Sequence, residues 1–294
     1  MKRDVEMKEQ EIKKAVRQRY AKAATQGGGC GCVPASPCCG STDVAQNISK
    51  AVGYSDEDIG AVPEGANLGL GCGNPVALAS LKEGEVVLDL GAGGGFDCFL
   101  AAKKVGKKGK VIGVDMTPEM IDKARENTRR GGYANVEFRL GEIENLPAAD
   151  NSVDAVISNC VINLAPDKKK VFSEAHRVLK PGGRLMISDL VLLKELPRAI
   201  KTSIEAYVGC ISGAMLRDGY LEAMREAGLT GVKVVQQTSF PVELIANDET
   251  AKALMKDLQL TDDTLRDLAS SVVSVKVEAV KPKMPAKRAG KDKH

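Results

Sequence analysis

From residue 86 onward the chain alternates between short apolar runs and amphipathic stretches. Val86-Val87-Leu88-Asp89-Leu90 is apolar except for one acid, the pattern of a strand covered on both faces, and it runs into glycines. A helix is predicted from Phe96 to Val105 and a second strand from Lys110 to Asp115. The next helix starts at a Thr117 cap with Pro118 in its first position and stops at Gly131-Gly132. Val136–Leu140 and residues 153–158 read as the third and fourth strands. A helix at 167–179, closed by Lys180-Pro181-Gly182-Gly183, leads to a fifth strand at 184–189. Strands separated by helices form a parallel, doubly wound α/β sheet. Ligands of such sheets bind beyond the carboxyl ends of the strands, where Asp89, Asp115, Cys160 and Asp189 all fall.

The flanks differ. Residues 1–24 form a charged helix with Ile12, Val16 and Tyr20 four apart on one face, and a second helix covers 44–51. After Asp189 the alternation changes: residues 197–210 and 221–227 read as helices, and 232–235 and 272–280 as strands, an added α+β region. The expected division is a helical, cysteine-rich segment (1–66), a core (67–190), the added region (191–281) and a basic tail (282–294).

Composition narrows the function. Of 294 residues 43% are hydrophobic and 28% charged, and no apolar run approaches the ~18 residues that span a bilayer. The charged start differs from a secretory leader, so a cytoplasmic protein with no membrane partner is expected. With no Trp and 3% aromatics, stacking platforms for nucleic acid are not expected. The net charge of +3 comes from the tail: residues 276–294 hold seven Lys or Arg against two acids, leaving the rest slightly acidic. Only two histidines are present, His176 and His294, which disfavours imidazole-based catalysis. Eight cysteines (30, 32, 38, 39, 72, 98, 160 and 210) are instead candidates for metal, metalloid or redox chemistry, since a permanent disulfide framework is improbable in the cytosol. A structural zinc site at Cys30–Cys39 is disfavoured by its C-x-C and C-C spacing, and Cys98 reads as packing.

The sharpest motif is Asp89-Leu-Gly91-Ala-Gly93-Gly94-Gly95. Glycines let a ligand approach the backbone, but Phe96 breaks the dinucleotide fingerprint. An acid two residues before the first glycine suits an ammonium group, which a pyrophosphate site would not. With Asp115 ending strand two 26 residues after Asp89, the motif resembles the S-adenosylmethionine site of class I methyltransferases. That resemblance implies cofactor contacts from Asp89, Gly91, Gly93, Gly95, Asp115, Met116, Glu142, Ile143 and Asn159, with Asp115 on the ribose and the Gly141-Glu142-Ile143 segment on adenine.

Oxygen and nitrogen acceptors usually need a base, whereas a soft centre with an exposed lone pair does not. Asn67-Leu-Gly-Leu-Gly-Cys72-Gly-Asn-Pro, Phe96-Asp-Cys98-Phe, Gly113-Val-Asp-Met116-Thr-Pro-Glu-Met, Ser158-Asn-Cys160-Val-Ile-Asn-Leu and Cys210-Ile-Ser-Gly resemble arsenite methyltransferases, from about residue 10 to 282. The resemblance implies As(III) held by Cys72, Cys160 and Cys210, and an amino-terminal cysteine, Cys38 or Cys39, for redox cycling. It also implies S-adenosylmethionine as methyl donor with no permanent metal, arsenite or its glutathione complex as substrate, and thioredoxin or another dithiol as reductant. Leu70 stands where many relatives have an aromatic residue. Two other readings stay open: a methyltransferase of a quinone-like acceptor, and a non-catalytic, thiol-rich metalloid-binding protein.

Overall fold

The computed structural model describes residues 2–25, 41–75, 80–196, 210, 212–239 and 270–283. Its centre is a sheet of strands β1 (Val86–Leu90), β2 (Lys110–Asp115), β3 (Val136–Leu140), β4 (Val153–Asn159), β5 (Leu179–Leu192), β6 (Thr230–Ser239) and β7 (Val272–Val280). Among the described residues the strand order is β3-β2-β1-β4-β5-β7-β6. The first five strands run parallel, and β7 is antiparallel to both β5 and β6.

The helices are α1 (Lys2–Thr25), α2 (Ser41–Ala51), α3 (Asp56–Gly60), α4 (Phe96–Val105), α5 (Pro118–Gly131), α6 (Lys168–Val178) and α7 (Arg217–Glu226). The pleat of β1 explains its sequence. Val87 enters one core with Phe99 and Ile121, whereas Leu88 and Leu90 enter the other with Phe172 and Tyr220, so each residue is covered from one side or the other. Asp89 falls on the Val87 face, where Cys98 of α4 meets it. Thr117 caps α5 ahead of Pro118, and Asp167 caps α6 by accepting from the Lys170 amide.

Two features differ from the sequence expectation. The strands following the core complete the same sheet as β6 and β7. Within β7, which lies between β5 and β6, Val273, Val275, Val277 and Ala279 alternate into the core that holds Phe172 and Tyr220, and Val272 packs in the cluster with the three cysteines. Strand β5 starts at Leu179, before the expected Pro-Gly-Gly stop: Leu179 pairs with Val153, and the register shifts before Arg184 meets Ala155. The residues between bulge outward, where Pro181 has no amide to donate and Gly182 takes φ 84°. No helix among the described residues is long and apolar enough to cross a membrane.

Candidate active site

The strand order reverses between β1 and β4, and a cavity with about 1080 Å³ of empty space, including its mouth, opens at their carboxyl ends. Its floor is the turn after β1. Gly91 (φ 69°) and Ala92 both donate to the Val114 carbonyl, at 2.8 and 2.9 Å. A Cβ at Gly91 would overlap the Val161 side chain, and one at Gly94 would sit 2.9 Å from the Ala66 carbonyl oxygen. The turn can therefore only be glycine there. Asp115 locks it: Oδ2 accepts from the Gly93 amide (3.0 Å) and Oδ1 from the Thr117 amide (2.8 Å).

Gly91, Gly93, Asp89, Asp115, Met116, Ile143 and Asn159 line the cavity. Two candidates do not. Gly95 caps α4 from behind, where a Cβ would collide with Phe99 and Phe138, and Glu142 turns to Lys13 at 2.7 Å while Glu144 takes the lining position. Lys13 lies 3.1 Å from Glu144 too, so α1 is tied across the cavity, and Val16 and Tyr20 of its apolar face form part of the wall.

The sequence did not reveal a second carboxylate beside Asp89. Asp97, at the start of α4, is buried, accepts from the Tyr54 hydroxyl at 2.7 Å and from Asn159 Nδ2 at 3.1 Å, and also lines the cavity. Burial raises the Asp97 carboxyl to about 6, against the hydrogen bonds from Tyr54 and Asn159. Asp89 is raised by burial and then by the neighbouring Asp97 charge, despite the Cys98 thiol donating to it at 3.2 Å. Cys98 itself packs fully buried in the core beside Phe99. Two buried acids without a lysine or arginine partner among the described residues form a place where a cation would be welcome. Tyr54 and Asp97 are 43 residues apart, a separation with no sequence signature.

Cys72, Cys160 and Cys210 come from three separated segments into one buried cluster, with Val16, Leu164 and Leu190 around them. Cys72 and Cys160 are joined as a disulfide, with Cα atoms 5.6 Å apart. The Cys210 thiol donates to the Cys160 carbonyl at 3.3 Å. Cys160 and Cys210 both take left-handed backbone conformations (φ 57° and 64°), so Cys210 does not continue the helix expected at 197–210, whose other residues lie outside the described ones. Positive φ at a non-glycine residue is uncommon and concentrates at functional sites. Burial, followed by the Asp189 charge, pushes the Cys210 thiol up to about 12. Asp189 lies within 4.8 Å of the Cys72 and Cys160 sulfurs and is itself raised to about 7, chiefly by burial. Cys30, Cys32, Cys38 and Cys39 lie outside the described residues.

Residues 81–228 match a family model described as a methyltransferase domain. An arsenite methyltransferase of Halobacterium salinarum is 46% identical over 93% of this chain and 67% of its own length. The chain belongs to the arsenite methyltransferase family. The human arsenite methyltransferase is 42% identical over 49% of this chain and 40% of its own length. The chain thus spans well under half of the human relative. A solved structure of an arsenic(III) S-adenosylmethionine methyltransferase from Chlamydomonas reinhardtii superposes with a TM-score of 0.59 at 33% identity, covering 81% of this chain and 74% of that one. The fold is that of class I S-adenosylmethionine-dependent methyltransferases, and this family member is a methyltransferase that uses the same donor.

Proposed function

We propose that this methyltransferase acts on trivalent arsenic, arsenite and then methylarsenite, held by thiolates of Cys72, Cys160 and Cys210. The observation that carries the reading is the convergence of those three cysteines on a cavity wall to which Cys160 itself contributes. The acids fit the donor: Asp89 and Asp97 face its ammonium group and Asp115 its ribose hydroxyls, over a glycine turn that no side chain could replace. Bound there, S-adenosylmethionine supplies an electrophilic sulfonium methyl group that an arsenic lone pair can accept without a base.

The chain's own contribution is positioning and ligand exchange. Each thiol replaces an oxygen or glutathione ligand on arsenic, and its proton leaves with that ligand as water or thiol. Soft thiolates suit this centre, and holding it beside the cavity supplies much of the acceleration. Methylation leaves arsenic formally pentavalent, so two electrons must return. A thiol pair supplies them by closing to a disulfide, here an amino-terminal cysteine, Cys38 or Cys39, with Cys72. A dithiol such as thioredoxin reopens it. The Cys72–Cys160 disulfide makes oxidation and arsenic binding compete for the same sulfurs. Methyl transfer from labelled donor to arsenite is therefore expected after dithiol treatment and not before it. Absence of methylated arsenic from the reduced, cofactor-binding protein would reject the reading.

The acid pair predicts a pH dependence. An ammonium group binds the carboxylate form of Asp97, and the free protein loses that form as pH falls through about 6. Donor affinity should weaken as pH falls through about 6, approaching tenfold per pH unit. Calorimetry from pH 5 to 8 checks this. Asp97→Asn should flatten that limb, and a flat parent profile would remove Asp97 from the ammonium site.

A further inference from the structure

We infer that Asn159, backed by Tyr54 and Asp97, is a positioning residue that couples the donor cavity to the Cys72 sulfur, so that each ligand tightens the binding of the other. The inference rests on the proposed assignment of the cavity to the methyl donor and of the thiols to arsenic.

Asn159 ends β4, immediately before Cys160, and its side chain reaches in two directions. Its Oδ1 accepts from the Cys72 amide at 3.2 Å. Its Nδ2 donates to the Tyr54 hydroxyl oxygen at 2.8 Å and to Asp97 Oδ2 at 3.1 Å. The Tyr54 hydroxyl in turn donates to Asp97 Oδ1 at 2.7 Å, closing a ring of three side chains around one carboxylate. A primary amide is planar, with its oxygen and nitrogen held in fixed opposition. Turning it to follow Asp97 therefore misaligns the bond to Cys72. Gly71 lies directly beside the amide: a Cβ there would stand 2.7 Å from Asn159 Nδ2, so a side chain at 71 would displace it. The one side chain thus ties together the segment before Cys72, the strand end before Cys160 and an acid that lines the donor cavity.

Without a cation, the Asp97 carboxylate is held by neutral donors alone among the described residues. A donor ammonium group in the cavity fixes the carboxylate, which fixes the amide plane, which holds the Cys72 backbone in place beside Cys160. Arsenic then meets a segment whose ordering has already been achieved, the basis of positive coupling. If Asn159 were merely a structural tie, its loss would weaken either ligand or lower stability but leave the two affinities independent.

The experiment uses the full chain, reduced, and S-adenosylhomocysteine as a donor analogue that cannot react. Arsenite affinity is measured by calorimetry with and without it, and analogue affinity with and without arsenite. In the parent, each ligand should tighten the other by the same factor, at least about fivefold. In Asn159→Ala and Tyr54→Phe that factor should fall toward one. Tyr54→Phe keeps the ring packed edge-on against Phe96 at 4.7 Å, so it tests the hydroxyl even if Asn159→Ala folds poorly. A parent that binds both ligands independently overturns the inference, as does a coupling factor that survives in a folded Tyr54→Phe. A reduced parent that binds the analogue but no arsenite overturns the arsenic assignment first, and the inference with it.

Discussion

Cys160→Ser is expected to abolish methylation of both arsenite and methylarsenite while leaving affinity for the methyl donor within a few-fold. The backbone at residue 160 is held independently of its side chain: its amide donates to the Ser188 carbonyl at 2.8 Å, and its carbonyl accepts from the Cys210 thiol. Serine is nearly the same size, so the left-handed turn and the surrounding packing should survive. The hydroxyl, however, is a hard ligand that stays protonated at neutral pH and cannot replace a thiolate on a soft centre. Cys160 is also the one of the three cysteines that lines the cavity proposed for the donor, so the proposed site loses the ligand on that wall. A displacement of ~1 Å can cost on the order of 100-fold, and losing a ligand moves arsenic further. Donor affinity should persist because Asp89, Asp97 and Asp115 are untouched. Single-turnover methyl transfer to both substrates, with donor affinity measured on the same protein, checks this. A serine variant that methylates at more than about a tenth of the parent rate would make Cys160 a packing residue, since a positioning ligand is worth far more.

Asp115→Ala should weaken donor binding by at least tenfold and leave arsenite binding to the reduced, donor-free protein unchanged. The carboxylate has two tasks. It accepts from the amides of Gly93 and Thr117, which fixes the glycine turn against the cap of α5, and on the proposed reading it also accepts from the ribose hydroxyls. Each hydrogen bond to a charged group contributes ~1.5–3 kcal/mol, so losing even one corresponds to roughly a 10- to 150-fold change. Asp115→Asn keeps one oxygen acceptor and should fall between parent and alanine. Calorimetry with S-adenosylhomocysteine separates the three, and a melting temperature on each shows whether the turn has loosened. Unchanged donor affinity in the alanine variant would take Asp115 out of the site.

Both predictions draw on residues that the sequence brought forward by itself, and the reason is local. The five strands from Val86 to Leu192 are legible because a parallel sheet covered on both faces demands continuous apolar runs, and each run is bounded by caps and glycines that act within a few residues. The glycine turn after β1 is legible for the same reason: its requirement is a backbone conformation that glycine meets, set by contacts to Val161 and Ala66 but visible as a spacing. Even the apolar face of α1 could be read, since Ile12, Val16 and Tyr20 recur at helical spacing and do pack together, against the three cysteines.

What the sequence could not show is which of these features meet. Asp97 becomes a cavity acid through Tyr54, 43 residues earlier, and through Asn159, 62 residues later. Glu142 pairs with Lys13 of α1, 129 residues away, while Glu144 lines the cavity. Strands β6 and β7 read as a separate region because nothing in their pattern says which edge they join; only the antiparallel pairing of β7 with β5 decides that. The cysteines were recognisable by kind, but their assembly depends on three chain segments brought together by the sheet, with Cys72 and Cys160 88 residues apart. Local conformation is encoded by neighbours in sequence, and chain order therefore determined the elements and the donor turn. The second acid, the Asn159 link and the sulfur cluster are long-range contacts whose energies exist only once the strands have paired, so the tertiary structure alone decided them.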